Sequence, residues 1–296
     1  LGITKFKLFL NDTRGTDDGE NEVLISIITR QAGFISPRTA IVPVKVNNSA
    51  SINYIFQEKA AKEMLEFHGF REGPILETNE KYLFEFEWFS NEIFDEERNY
   101  FLLGKIINKN WFQKNFDNLL IGSEALQLYN QSIYSSYNPN DQLNYNFLSS
   151  DPLEMYIYDI LNFSLNSYHG IINHNRKFYF DKMSENFIPI YYDGNSKFLT
   201  KSILNINPSY KNEGELAKAA SYLLKNYNFD ALALQKLFAS YRLDYDIKKV
   251  EWIIQEIQNN LMQASQLSNS ETQANTVKEN LLAAEFHDKE LLIFNE

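Results

Sequence analysis

Cysteine is absent from this 296-residue chain. That excludes disulfides, thiolate metal sites and cysteine nucleophiles together. It suits a protein outside the cytoplasm and one inside it equally well. Histidine is scarce, with four residues, so few side chains titrate near neutral pH. No run of about 18 apolar residues occurs, so no membrane-spanning helix is expected, and no basic-then-apolar leader opens the chain. The first residues, "LGITKFKLFL", lack an initiator Met and start in mid-strand. This is the expectation for a fragment whose missing front carries any signal or anchor. Basic residues are outnumbered, 28 Lys and Arg against 39 Asp and Glu, for a formal net charge of −11. Scattered acids argue against the basic stripe that binds nucleic acid and favour solubility. Neither G-x-x-x-x-G-K-[ST] nor G-x-S-x-G occurs, and no Gly-rich phosphate loop precedes the first strand.

What is present suffices for a sizeable core. The chain is 44% hydrophobic and 15% aromatic, enough for one large domain or two lobes. "KFKLFL", Lys5–Leu10, alternates charged and apolar residues as a half-buried strand does. "ENEVLISIITRQAGF" puts Val23, Ile27 and Ile28 at helical spacing, with Gly33 as the C-terminal cap. "TAIVPVKV" and "INYIFQEK" form a hairpin joined by "NNSAS". "EKAAKEMLEFHGF" predicts an amphipathic helix with Ala60, Met64, Leu65 and Phe67 inward. "REGPILE" and "EKYLFEFEWF" suggest a turn and an extended piece, with Glu80, Glu85 and Glu87 on its wet face.

Helical segments dominate from about Asn99, the clearest being "DPLEMYIYDILNFSLNSYHG", with Asp151 as N-cap and Pro152 at the first helical position. "KFYF" and "FIPIYYDG" then form a second hairpin around "DKMSEN". Three amphipathic helices follow: "ELAKAASYLLKNY", "DALALQKLFASY" and "DIKKVEWIIQEIQNNLMQASQL". The expected class is α+β: a β-rich front lobe at 1–60, a mainly helical rear lobe at 61–267, and a peripheral polar tail at 268–296. That order of elements fits a two-lobed, kinase-like fold, as it fits other α+β folds.

The stretch His169–Phe198 concentrates the chemistry. Phosphoryl transfer needs positioning and charge neutralisation: a strand lysine on the phosphates, a helix acid paired with it, metal-holding Asn and Asp, and a base. Asn175, just before one hairpin strand, and Asp193, just after the next, can face one metal; Asp-Gly is equally an ordinary turn pair. His169 and His174 suit a general base or a structural loop contact. With Asp181 or Asp193 they also make a candidate transition-metal site, and hence a metal-dependent hydrolase. Lys5 and Lys7 share one strand face, so either suits the phosphates, and Glu20 or Glu22 suits the helix acid. Surface charge is the ordinary role of all four.

Two blocks carry a family resemblance. "SPRTAIVPVKVNNSASINYIFQEKAAKEMLEFHGFREGPILE", with its Arg71-Glu72-Gly73-Pro74-Ile75 segment, resembles the spore coat protein H (CotH) kinase-like family, most closely its longer Gram-negative-type members. "HGIINHNRKFYFDKMSENFIPIYYDG" is similar to the same family's His-x4-His-Asn block and its Pro-Ile-x-x-Asp element. The blocks lie in the family's order, about 100 residues apart, and cover about a quarter of the chain. The resemblance implies an atypical protein-kinase fold that uses ATP and Mg or Mn to phosphorylate proteins, usually outside the cytoplasm. It implies that Lys7 (or Lys5) holds phosphates, Glu22 (or Glu20) pairs with it, Gln57 and Glu58 meet adenine, and Asn175 and Asp193 hold the metal. The departure is at the base. Spore-coat members carry an Asp several residues before the Asn, whereas here "HGIINH" holds no carboxylate. Replacement by His169 or His174, transfer of AMP, or a pseudokinase that serves as a binding module in a larger surface protein are the alternatives.

Overall fold

The computed structural model describes residues 2–10, 19–47, 50–79, 81–82, 85, 102–135, 143–204, 206, 210 and 212–267. Among them the chain is mixed α+β, with two small antiparallel sheets and eight α-helices. The tail from 268, together with Glu80 and Glu87, lies outside the described residues. Within the segment expected to be extended around them, Lys81, Tyr82 and Glu85 are helical.

The first sheet is built from β1 (Phe6–Leu10), β2 (Thr39–Val44) and β3 (Ile52–Glu58). The expected hairpin pairs Thr39 with Gln57 through Val44 with Ile52, and β1 adds to the other edge of β3, placing Lys7 opposite Gln57. Period-2 alternation then divides the strands. Phe9, Ile41 and Ile55 turn inward to the main core, while Phe6 and Leu8 remain exposed.

Helix α1 (Gly19–Gln31) lies under this sheet and is buried along nearly its whole length. Its apolar run serves two neighbours, the front sheet and the rear helices, which explains why it is not amphipathic in the ordinary sense. Gly33 ends it at φ +89°, a left-handed position that favours glycine. The Phe34 amide then bonds the Thr29 carbonyl at 3.1 Å.

Helix α2 (Lys62–Phe67) buries Met64 and Leu65, but Phe67 is half exposed rather than inward. Two residues on from Leu65, about 200° around the helix, it lies off that residue's face, and Arg38 covers its ring at 4.5 Å.

The second sheet runs β5-β4-β6-β7, from β4 (Ile75–Asn79), β5 (Leu103–Ile106), β6 (Lys177–Asp181) and β7 (Asn186–Ile190). It backs onto α3 (Lys109–Phe112) and α4 (Phe116–Tyr134), with Tyr129, Phe178, Phe180 and Phe187 in a second core. Helix α5 (Leu153–Ser164) starts one residue later than expected, with Pro152 rather than Asp151 at the cap position, and the Asp151 carboxylate accepts from the Leu153 amide at 3.1 Å. Three rear helices follow: α6 (Glu213–Asn226), α7 (Ala231–Ser240) and α8 (Ile247–Ala264). Asp230 and Asp246 cap α7 and α8. Val250, Ile253, Ile257 and Leu261 form the α8 stripe that closes the main core against α5 and α6. No helix among the described residues is long and apolar enough to cross a membrane.

Candidate functional site

The hairpin β6–β7 is carried to the front sheet by one short join. Ile35, just after α1, bridges Ile190, and the Tyr191 amide donates to the Ile35 carbonyl at 2.8 Å. Tyr191, Tyr192 and Asp193 therefore leave β7 directly beside the strand that carries Lys7.

Two clefts meet there. The larger, about 630 Å³, is lined by Lys5, Lys7, Gln57 and Glu58 on the front side and by Trp111, Lys177 and Tyr192 on the other. The smaller, about 470 Å³, is lined by Lys105, His169, His174, Asn175 and Asp193. Glu77, Lys177 and Tyr192 line both.

Between the expected helix acids the structure discriminates. Glu22 is buried and accepts from the Gln57 amide at 2.7 Å and the Tyr191 hydroxyl at 2.8 Å. Gln57 pairs across the sheet with Lys7 and lines the cleft, as Tyr191 does, so Glu22 lies directly behind the cleft wall and braces two of its residues. Glu20 instead accepts from the Tyr245 hydroxyl at 2.9 Å, toward the rear helices. Residues two apart on a helix lie about 200° apart, so both cannot face the strand. Burial and the Glu22 carboxylate together hold the Tyr191 phenol well above its ordinary range. Lys5 and Lys7 both reach the cleft, and the Lys7 ammonium donates to the Tyr192 hydroxyl at 3.1 Å. The side chains of Gln57 and Glu58 are committed within the front part, Gln57 to Glu22 and Glu58 to the Arg38 guanidinium.

Asn175 and Asp193, 18 residues apart, come together. The Asn175 amide donates to the carbonyls of His169 at 3.1 Å and Asp193 at 3.3 Å. What Asn175 would offer a cation is therefore its Oδ1. Asp193 adopts φ 49°, a left-handed position that non-glycine residues rarely occupy and that clusters at functional sites. Gly194 makes this turn possible: a Cβ there would sit 1.9 Å from Ser167 Oγ and 2.6 Å from the Tyr191 hydroxyl. An amide oxygen and a carboxylate are hard donors that fit Mg²⁺ when phosphates and waters complete its shell. The His169 and His174 rings stand 6.2 Å apart, edge to face. Among the described residues no group of three or more His, Asp or Glu could hold a metal by itself. Asp181 lies at the far end of β6, bonding Ser184 in the turn, so it is no third ligand for the histidines.

The loop of Asn175 is anchored from below. Arg176, 2% exposed, donates to Asp159 at 2.9 Å and to the Ile171 carbonyl at 2.7 Å. Asp159, fully buried on α5, also accepts from the hydroxyls of Tyr145 and Tyr210. Burial, together with that carboxylate, keeps both phenols protonated far into the alkaline range.

Sequence reasoning did not single out Lys177, Tyr192 or Glu77. Glu77 is ion-paired with Lys177 on β6 and, at 3.0 Å, with Lys105 on β5. Lys177 also lies 3.9 Å from the centre of the Tyr192 ring. The signal was available in part, since Lys177 and Tyr192 directly neighbour "HN-R" and "D-G". The pairing of Glu77 with both lysines depends on strand order, which spacing does not reveal. No family model matches the chain, and no curated protein matches it.

Proposed function

We propose that the chain is an atypical, kinase-like phosphotransferase of the CotH type, moving the γ-phosphoryl group of ATP to a protein hydroxyl with Mg²⁺ or Mn²⁺. One observation carries the reading. Asn175 and Asp193 meet on the wall of a cleft that shares Lys177 and Tyr192 with a second cleft, lined by Lys7 and by Gln57, whose amide bonds the helix acid Glu22 behind it. That is the division of labour phosphoryl transfer requires, with oxygen donors for a divalent cation on one side and a strand lysine near a helix acid on the other. The resemblance of Ser36–Glu77 and His169–Gly194 to the family supports the same reading, and with it a substrate outside the cytoplasm.

In this reading the larger cleft takes the nucleotide and the smaller one the acceptor. Lys7 holds the phosphates, and Glu22 braces Gln57 and Tyr191 from behind the cleft wall. Asn175 Oδ1 and the Asp193 carboxylate would hold the cation, which would supply charge neutralisation at the phosphates. His169 or His174 receives the acceptor's proton. A second reading, a pseudokinase or an AMP-transferring domain, is favoured by the lack of a carboxylate in residues 169–174. Of the two acids lining the acceptor cleft, Glu77 is tied to Lys105 and Lys177, and Asp193 is assigned to the cation.

A thermal-shift series with ATP and Mg²⁺ or Mn²⁺ tests nucleotide binding, and ATP labelled at the γ- or the α-phosphate tests the reaction. A metal-dependent rise in Tm with transfer of γ-label supports the kinase. Transfer of α-label makes it an AMP transferase. No shift with any nucleotide sinks the enzyme reading.

A further inference from the structure

We propose that Lys177 is the second cation of an oligophosphate seat, with Tyr192 as the positioning residue that aligns it with Lys7 at the junction of the two clefts. The seat rests on the nucleotide reading for its biological ligand, but its chemistry stands separately.

The geometry is a chain of contacts. Lys7 donates to the Tyr192 hydroxyl at 3.1 Å and lies 5.2 Å from the centre of the same ring. Lys177 lies over that ring at 3.9 Å from its centre. The two ammonium groups are therefore no more than about 9 Å apart, the sum of the two distances to the shared centre. Lys177 continues to Glu77, and Glu77 to Lys105.

Along this chain stand Lys7, Lys177 and Lys105 with the Glu77 carboxylate, and Asp193 lines the smaller cleft beside them, in a protein whose net charge is −11. The Tyr192 side chain stands between the two lysines. Its ring supplies a cation–π contact to Lys177, and its hydroxyl supplies one hydrogen bond to Lys7. Neither is as strong as a charge-assisted bond to phosphate. An oligophosphate entering the junction exchanges the Tyr192 hydroxyl for a phosphate oxygen at Lys7 and meets Lys177 from the other side. Glu77, on strand β4, pairs with the Lys177 ammonium itself, so the phosphate shares that ammonium with Glu77. Lys105 belongs to the same chain but lines only the acceptor cleft, so it is the internal control for charge alone.

The test is titration of inorganic tripolyphosphate into the whole chain by calorimetry, with chelator present so that no metal contributes. The variants are Lys177→Met, Tyr192→Phe, Tyr192→Leu and Lys105→Met, each first shown to keep the wild-type Tm. The seat predicts that wild type binds, with an affinity that falls as salt rises. Lys177→Met should weaken binding at least tenfold and Tyr192→Leu at least fivefold. Tyr192→Phe, which keeps the ring and removes only a hydrogen bond that the phosphate displaces, should bind within twofold of wild type. Lys105→Met should stay within twofold. No binding by wild type overturns the seat, as do equal losses for Lys177→Met and Lys105→Met. An intact seat without γ-phosphate transfer leaves the seat standing and removes the kinase reading. Transfer that is indifferent to Lys177→Met does the opposite.

Discussion

Replacing Arg176 by Met should cost about 4 kcal/mol, the middle of the range for removing one partner of a buried ion pair. Both partners are almost wholly enclosed, Arg176 at 2% and Asp159 at 0% exposure. Met keeps most of the volume but removes the 2.9 Å contact to Asp159 and the 2.7 Å contact to the Ile171 carbonyl. The Asp159 carboxylate would keep only the hydroxyls of Tyr145 and Tyr210. With Tm shifting about 2–4 °C per kcal/mol in a chain of this size, the loss amounts to on the order of 10 °C by differential scanning calorimetry. Because Arg176 follows Asn175 and holds the Ile171 carbonyl of the same loop, metal-dependent nucleotide binding should weaken too. The double variant Asp159→Asn/Arg176→Met, which removes the stranded charge, should recover part of the Tm. A drop of less than about 2 °C for Arg176→Met, or no recovery in the double variant, would refute the reasoning.

Two further predictions test neighbouring parts of the account. Burial raises the Tyr129 phenol to about 12 and pushes Tyr145, Tyr191 and Tyr210 upward as well. A raised folded-state value means that this stability is complete below about pH 10 and is lost as pH climbs toward 12. Tyr129 alone accounts for about 3 kcal/mol, so urea midpoints should fall steeply above pH 10; a flat profile to pH 12 contradicts the buried phenols. Gly194→Ala forces a Cβ against Ser167 Oγ and the Tyr191 hydroxyl. It should cost about 1–3 kcal/mol and impair Asp193 function, with partial rescue by Ser167→Gly. Unchanged Tm and activity in Gly194→Ala would mean that the close packing does not fix Asp193.

Much of the fold was legible because local pattern and tertiary role agree. The alternation in Lys5–Leu10, the hairpin of β2 and β3, the left-handed Gly33 and the stripe of α8 all sit as their sequences suggest. Strand β5 was not legible, since four residues, Leu103–Ile106, display no alternation and gain their identity only by pairing with β4. Phe67 misled because aromatic character does not fix which side of a short helix a residue occupies. In the site, Asn175 and Asp193 could be picked out by their positions at either end of a hairpin, and their meeting follows from its closure. Glu20 and Glu22 were indistinguishable until the rotation of α1 was known. Lys177, Tyr192 and Glu77 depend on the order β5-β4-β6-β7, which joins residues 100 positions apart. The division at residue 60 separates the two sheets but not the cores, since α1 shares its apolar environment with α5 and α8.

The most direct test of the central claim is metal-dependent release or transfer of the γ-phosphate by wild type and by Asp193→Ala, at matched Tm. Loss of the metal-dependent activity in Asp193→Ala, with the fold intact, is the predicted result. Turnover equal to wild type would remove Asp193 from the site and with it the proposed mechanism.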